Sequence, residues 1–153
     1  MRIFLPFTHL RCETFCACPG AILIPLLDHD RDYGKYWAER WREGLLFINV
    51  EQDVVPSLNA MKEMWNCPNP YCRLDYCYPH KPNDSSPIGC AKFSAQFIAQ
   101  NHGLLLQGCT YHDPQYMIIS ASLNKACVHQ PPALHLHIDQ NWPLDFKRKY
   151  IHA

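Results

Sequence analysis

The run Leu45-Leu46-Phe47-Ile48-Asn49-Val50 constrains this chain more than any other segment. As an extended strand it is apolar on both faces, so both faces must be covered. That is the position of a central strand in a parallel sheet with helices above and below it. The neighbouring blocks fit such a layout. Strand patterns fall at 3–5, 21–27, 72–78 and 88–92, and helical patterns at 8–18, 58–65 and 94–101. Tyr33, Tyr36, Trp37, Arg40 and Trp41 recur at helical spacing up to Gly44 and read as core, with Asp32 as the expected cap. Pro25 predicts an edge position or an early end for the second strand. Further on, Asp113-Pro114 reads as a helix start and 115–126 as the helix. Cys127-Val128-His129 reads as a short strand stopped by Pro131-Pro132. The alternation predicts an α/β domain with a mostly parallel central sheet flanked by helices over residues 1–139, and a tail over 140–153.

With 153 residues the chain has the length of one domain. A hydrophobic share of 48% against 18% charged residues excludes disorder of the whole chain. Lys and Arg total 14, as do Asp and Glu, so no global basic field holds nucleic acid or an anionic membrane. Lys147-Arg148-Lys149 is too short to alter that and reads as a solvated terminus. No apolar run approaches the roughly 18 residues of a membrane span, and Pro6, His9 and Arg11 interrupt any secretory h-region. The expectation is a cytoplasmic protein with reduced thiols. Six glycines and the lack of a Gly-rich phosphate loop leave phosphate binding to a metal or a basic side chain.

Four constellations could carry chemistry. Glu51-Gln52-Asp53 follows the apolar strand, where ligands bind in open α/β sheets, and two carboxylates in a tight turn can aim at one divalent cation. The bland alternative is a capping Asp53 and a solvated Glu51. His135, His137 and Asp139 share one face of an extended segment and could bind a transition metal with His129 nearby, or simply face water on an edge strand. The nine cysteines are an odd number, and neither Cys67-x4-Cys72 nor Cys12-x3-Cys16-x-Cys18 makes a standard zinc knuckle. Small buried thiols are the preferred reading there, with a Cys67–Cys72 disulfide as the alternative. Asp113 reads as a helix cap first and as a general base second.

Several segments together resemble a known pattern. Phe47-Ile48-Asn49-Val50-Glu51-Gln52-Asp53-Val54-Val55-Pro56 resembles the strand and acidic turn of small GT-A-type glycosyltransferase-like proteins of phages and actinobacteria. Cys67-Pro68-Asn69-Pro70-Tyr71-Cys72, Ile88-Gly89-Cys90-Ala91-Lys92-Phe93-Ser94-Ala95 and 129–137 are similar to later segments of that family, in the same order. The turn here is Glu-Gln-Asp where Asp-x-Asp is commoner. The resemblance implies a single GT-A-like (Rossmann-like) domain acting as a metal-dependent glycosyltransferase, with a nucleoside diphosphate sugar as donor. The acceptor is open between a modified DNA base and a glycan. It implies Mn or Mg on Glu51, Asp53 and His135 or His137, base or ribose contacts from Asp28 or Asp30, phosphate contact from Lys92, and Asp113 as catalytic base. A metal-dependent hydrolase using His135, His137 and Asp139, and a non-catalytic degenerate binding module, are the rival expectations.

Overall fold

The computed structural model describes residues 1–77, 88–103 and 126–136, apart from the side chains of His29 and Asp30. The expected helix over 115–126, the candidate residues Asp113, His137 and Asp139, and the tail over 140–153 lie outside the described residues (residue 126 excepted). The strands are β1 (Ile3–Phe7), β2 (Ile22–Pro25), β3 (Phe47–Val50), β4 (Val54–Val55), β5 (Tyr71–Cys77), β6 (Cys90–Phe93) and β7 (Cys127–His135). The helices are α1 (Cys12–Ala17), α2 (His29–Glu43), α3 (Leu58–Asn66) and α4 (Ala95–Gln100). Among the described residues no helix is long and apolar enough to cross a membrane.

One curled sheet runs in the order β2-β1-β3-β6-β5-β7-β4. The pairings β1–β2, β1–β3 and β5–β7 are parallel, whereas β3–β6, β5–β6 and β4–β7 are antiparallel. This corrects the expected mostly parallel, GT-A-like sheet: the layout is mixed, with a reversed strand, β6, at its centre. A fully buried strand is apolar on both faces whichever way its neighbour runs, so the pattern of β3 carries no information on direction. Pro25 does sit on an edge strand.

Alternation along the strands sorts the core into two faces. Phe4, Phe47, Tyr71 and Phe93 point to one face, where α2 contributes Tyr33, Tyr36, Trp37 and Trp41 and α4 contributes Phe97 and Ile98. Trp37 is fully buried there, its ring 5.5 Å from Phe93 and 6.1 Å from Phe47 by centroids. Ile3, Leu5, Ile48, Val50, Cys72, Leu74 and Tyr76 point to the other face, covered by Ala60, Met61 and Met64 of α3. Side-chain caps start α2, α3 and α4, but not α1. Asp28, not Asp32, caps α2 by accepting from the Arg31 N–H at 3.0 Å. Asp32 reaches back from the first turn to accept from the N–H of Asp28 at 2.9 Å and of Leu27 at 3.1 Å. Ser57 and Ser94 cap α3 and α4 through their side chains. Gly44, at φ 64°, closes α2 in the left-handed region that glycine tolerates.

β7 departs from its sequence pattern. The prolines do not stop it: Leu74 pairs with His129 and Tyr76 with Ala133, so Gln130, Pro131 and Pro132 bulge out opposite Asp75. A bulge frees the prolines from donating to the ladder, which lets one strand run from Cys127 to His135.

Asn49 is the polar exception in the β3 run. It is fully buried, accepts from the Tyr36 hydroxyl at 2.8 Å and donates to the Ile88 carbonyl at 2.7 Å. Asn49→Ala should therefore cost about 3 kcal/mol by leaving both partners unsatisfied. Tyr36→Phe in the same background removes one orphan and should add less than its own single-variant cost, as read from urea unfolding midpoints.

Candidate metal centre

The acidic turn at the end of β3 is more enclosed than a solvent-facing cation site. Glu51 is 8% exposed and accepts from the Tyr76 hydroxyl at 2.6 Å and the Tyr33 hydroxyl at 3.3 Å. Its own N–H donates to the Gly89 carbonyl at 2.7 Å. A Cβ on Gly89 would collide with the Tyr76 ring and hydroxyl, so the absence of a side chain there admits the phenol to Glu51. Burial is the main influence on Glu51 and raises it to about 7, with Asp53 adding to the rise and the two tyrosines opposing it. Asp53 Oδ2 lies 3.4 Å from His135 Nε2, and the His135 ring stacks on Tyr76 at 4.7 Å between centroids. His135 is itself buried, opposite Val54 of β4, rather than on a wet face.

The structure thus brings Glu51, Asp53 and His135 into one neighbourhood but divides their partners: Glu51 to the tyrosines, Asp53 to His135. Asp28 is spent on capping α2, and Asp30 lies in the first turn of that helix. Lys92 is 1% exposed within β6, its Nζ donating to the Cys67 carbonyl at 2.6 Å.

A different set of ligand atoms converges. Cys67, Cys72, Cys127 and His129 place one ligand atom each within 4.8 Å of all the others, and among the described residues no other group of three or more metal-ligating side chains does so. Local structure explains the convergence. Cys67 caps the C-terminus of α3, its N–H bonded to the Met64 carbonyl. Pro68-Asn69-Pro70 then turns the chain into β5 at Tyr71. Cys72 pairs directly with Cys127 on β7, and His129 follows two residues later on the same face. A tetrahedral zinc with Zn–S near 2.3 Å needs sulfurs about 3.8 Å apart, which this cluster accommodates.

The electrostatics grade the three thiols. At Cys67 burial opposes ionisation, but hydrogen bonds from the backbone and side chain of Asn69, with Cys72 and His129 beside it, outweigh it and lower the thiol to about 6. The Asn69 Nδ2 lies 3.5 Å from the Cys67 sulfur. Burial pushes Cys72 up to about 12 despite the nearby Lys92 ammonium. Burial and the adjacent Cys67 also raise Cys127. Cys67 is thus the readiest of the three thiols to ionise, and His129 stands beside it. Sequence spacing contained this set in two halves, Cys67-x4-Cys72 and Cys127-x-His129. Joining them required the parallel pairing of β5 with β7.

The Glu51 environment has a measurable consequence. The carboxyl moves from 4.5 to about 7 on folding, so between these values the unfolded chain loses its proton first. Stability then falls with rising pH across that window, by on the order of 3 kcal/mol in full, and levels off above it. Glu51→Gln should abolish this slope. The difference between wild type and variant, measured by urea unfolding at pH 5.0, about 6 and about 7 with chelator present, cancels the opposite contribution of Cys67.

No protein-family model, no curated protein and no solved structure matches this chain.

Proposed function

We propose that this protein is a zinc-binding domain in which Cys67, Cys72, Cys127 and His129 form a four-ligand structural centre. The observation that carries this reading is the convergence of the four ligand atoms within 4.8 Å of one another, from the end of α3, from β5 and from β7. Three cysteines and one histidine are a ligand set of structural zinc, and four protein ligands leave no open position for a substrate. Soft sulfur donors favour zinc over Mn or Mg, which take oxygen ligands. The metal would fasten the helix layer to the β5–β7 pair.

A second reading keeps metal-dependent glycosyl transfer at the acidic turn. The approach of Asp53 to His135, 3.4 Å apart after β3, favours it. It takes a divalent cation on these two side chains and a nucleoside diphosphate sugar as donor, without support from a parallel sheet. A rise in melting temperature with Mn and a nucleoside diphosphate, lost in Asp53→Ala, would favour this reading.

The zinc reading predicts one zinc bound per chain, seen by native mass spectrometry, and its loss in Cys127→Ser. Near pH 7 binding should release about two protons per metal, because Cys72 and Cys127 hold theirs in the metal-free protein and Cys67 does not. An indicator-dye titration counts them. Equal zinc affinity in Cys127→Ser and wild type would overturn the assignment.

A further inference from the structure

Lys92 is an unusual residue for the middle of a sheet. It belongs to β6, between β3 and β5, and is 1% exposed. Among the described residues no carboxylate pairs with it. Its Nζ donates to a neutral group, the Cys67 carbonyl, at 2.6 Å. A carbonyl leaves the charge of a buried ammonium unbalanced, and anions are the usual remedy.

The backbone register shows where an anion would stand. Lys92 pairs with Cys72 on β5, and Cys72 pairs with Cys127 on β7. Side chains at paired positions share a face, so Lys92, Cys72 and Cys127 form one row across three strands. The ammonium lies within electrostatic and hydrogen-bonding reach of Cys72, and its carbonyl partner belongs to Cys67. It therefore touches two of the four ligand residues.

The charges of the two features are complementary. Divalent zinc with three thiolates and one neutral imidazole carries one net negative charge. One buried ammonium brings the assembly to neutrality. We propose that Lys92 is the built-in counter-cation of the zinc centre, a positioning residue that balances its excess thiolate charge and tethers the Cys67 end of α3. This rests on the zinc reading of the same cluster. The bond to the Cys67 carbonyl alone would be met by any donor of similar length, but charge balance requires a cation. Arg and Gln at position 92 therefore separate the two roles.

The test is zinc affinity by chelator competition in wild type, Lys92→Arg and Lys92→Gln, with the cobalt-substituted absorption spectrum as a check that the centre stays tetrahedral. Loss of a supporting residue around a metal site lowers affinity about 10- to 100-fold. Lys92→Gln should weaken binding by that order, and Lys92→Arg should restore most of it. A second background isolates charge: in Cys127→His the zinc centre is neutral, so Lys92→Gln should lose its effect there. Should Lys92→Gln alone not fold, the double variant is expected to fold and bind zinc. Unchanged affinity in Lys92→Gln, or an equal loss in both backgrounds, overturns the counter-cation role while leaving the zinc site intact. Failure of wild type to bind zinc overturns the site itself.

Discussion

The reversal of β6 between β3 and β5 sets the surroundings of three buried polar residues, Asn49, Glu51 and Lys92. Strands at the centre of a sheet bury both faces, so a polar side chain there must find its partner within reach of the ladder. The segment entering β6 supplies two such partners, the Ile88 carbonyl for Asn49 and the Gly89 carbonyl for the Glu51 N–H. Two residues into the strand comes Lys92, beside Cys72. Reversing the strand also removes the need for a long crossover between β5 and β6, because antiparallel neighbours need no helix between them. The interior chemistry and the departure from a parallel sheet have one cause.

Much of the local structure was legible in the residues. The Tyr33–Trp41 stripe, closed by Gly44, marks the helix that covers the aromatic face. Ser57 and the stripe Leu58, Met61, Met64 mark α3. Pro25 marks an edge. These signals are local: caps, period and proline act within a few residues. Strand direction was not legible, since two-sided burial looks the same from either end. Nor was the continuity of β7, because a proline pair stops a regular ladder and only the bulge opposite Asp75 lets it pass.

The candidate site follows the same division. Glu51, Asp53 and His135 do come into one neighbourhood, as an acidic turn near a late histidine suggests, but the two tyrosines that claim Glu51 come from α2 and β5. Nothing in the spacing of Glu51 and Asp53 announces them. The cysteine cluster was hidden for a related reason. A zinc knuckle is recognisable when its turn alone brings the ligands together. Here the sheet performs that task, setting Cys72 against Cys127 across a strand boundary. Lys92 had a reading only by resemblance, as a phosphate contact; its neighbour Cys72 across the sheet had no local signal.

For the proposed zinc centre, the long interval between the four ligands bears on the order of events in folding. Among the described residues, the chain between Cys67 and His129 forms β5, β6 and α4 before it returns on β7. Closing so long a loop costs entropy that the metal cannot recover until all four ligands are present, and these exist together only after β7 has joined β5. A metal in this position therefore arrives late. It cannot serve as a nucleus in the manner of a compact zinc finger. Interactions that form after the rate-limiting step act on the rate of unfolding and leave the rate of folding nearly unchanged. A centre of this kind would be a latch on a finished sheet: whatever it adds to the stability of β7, the strand with the most irregular course, would appear as slower unfolding and not as faster folding.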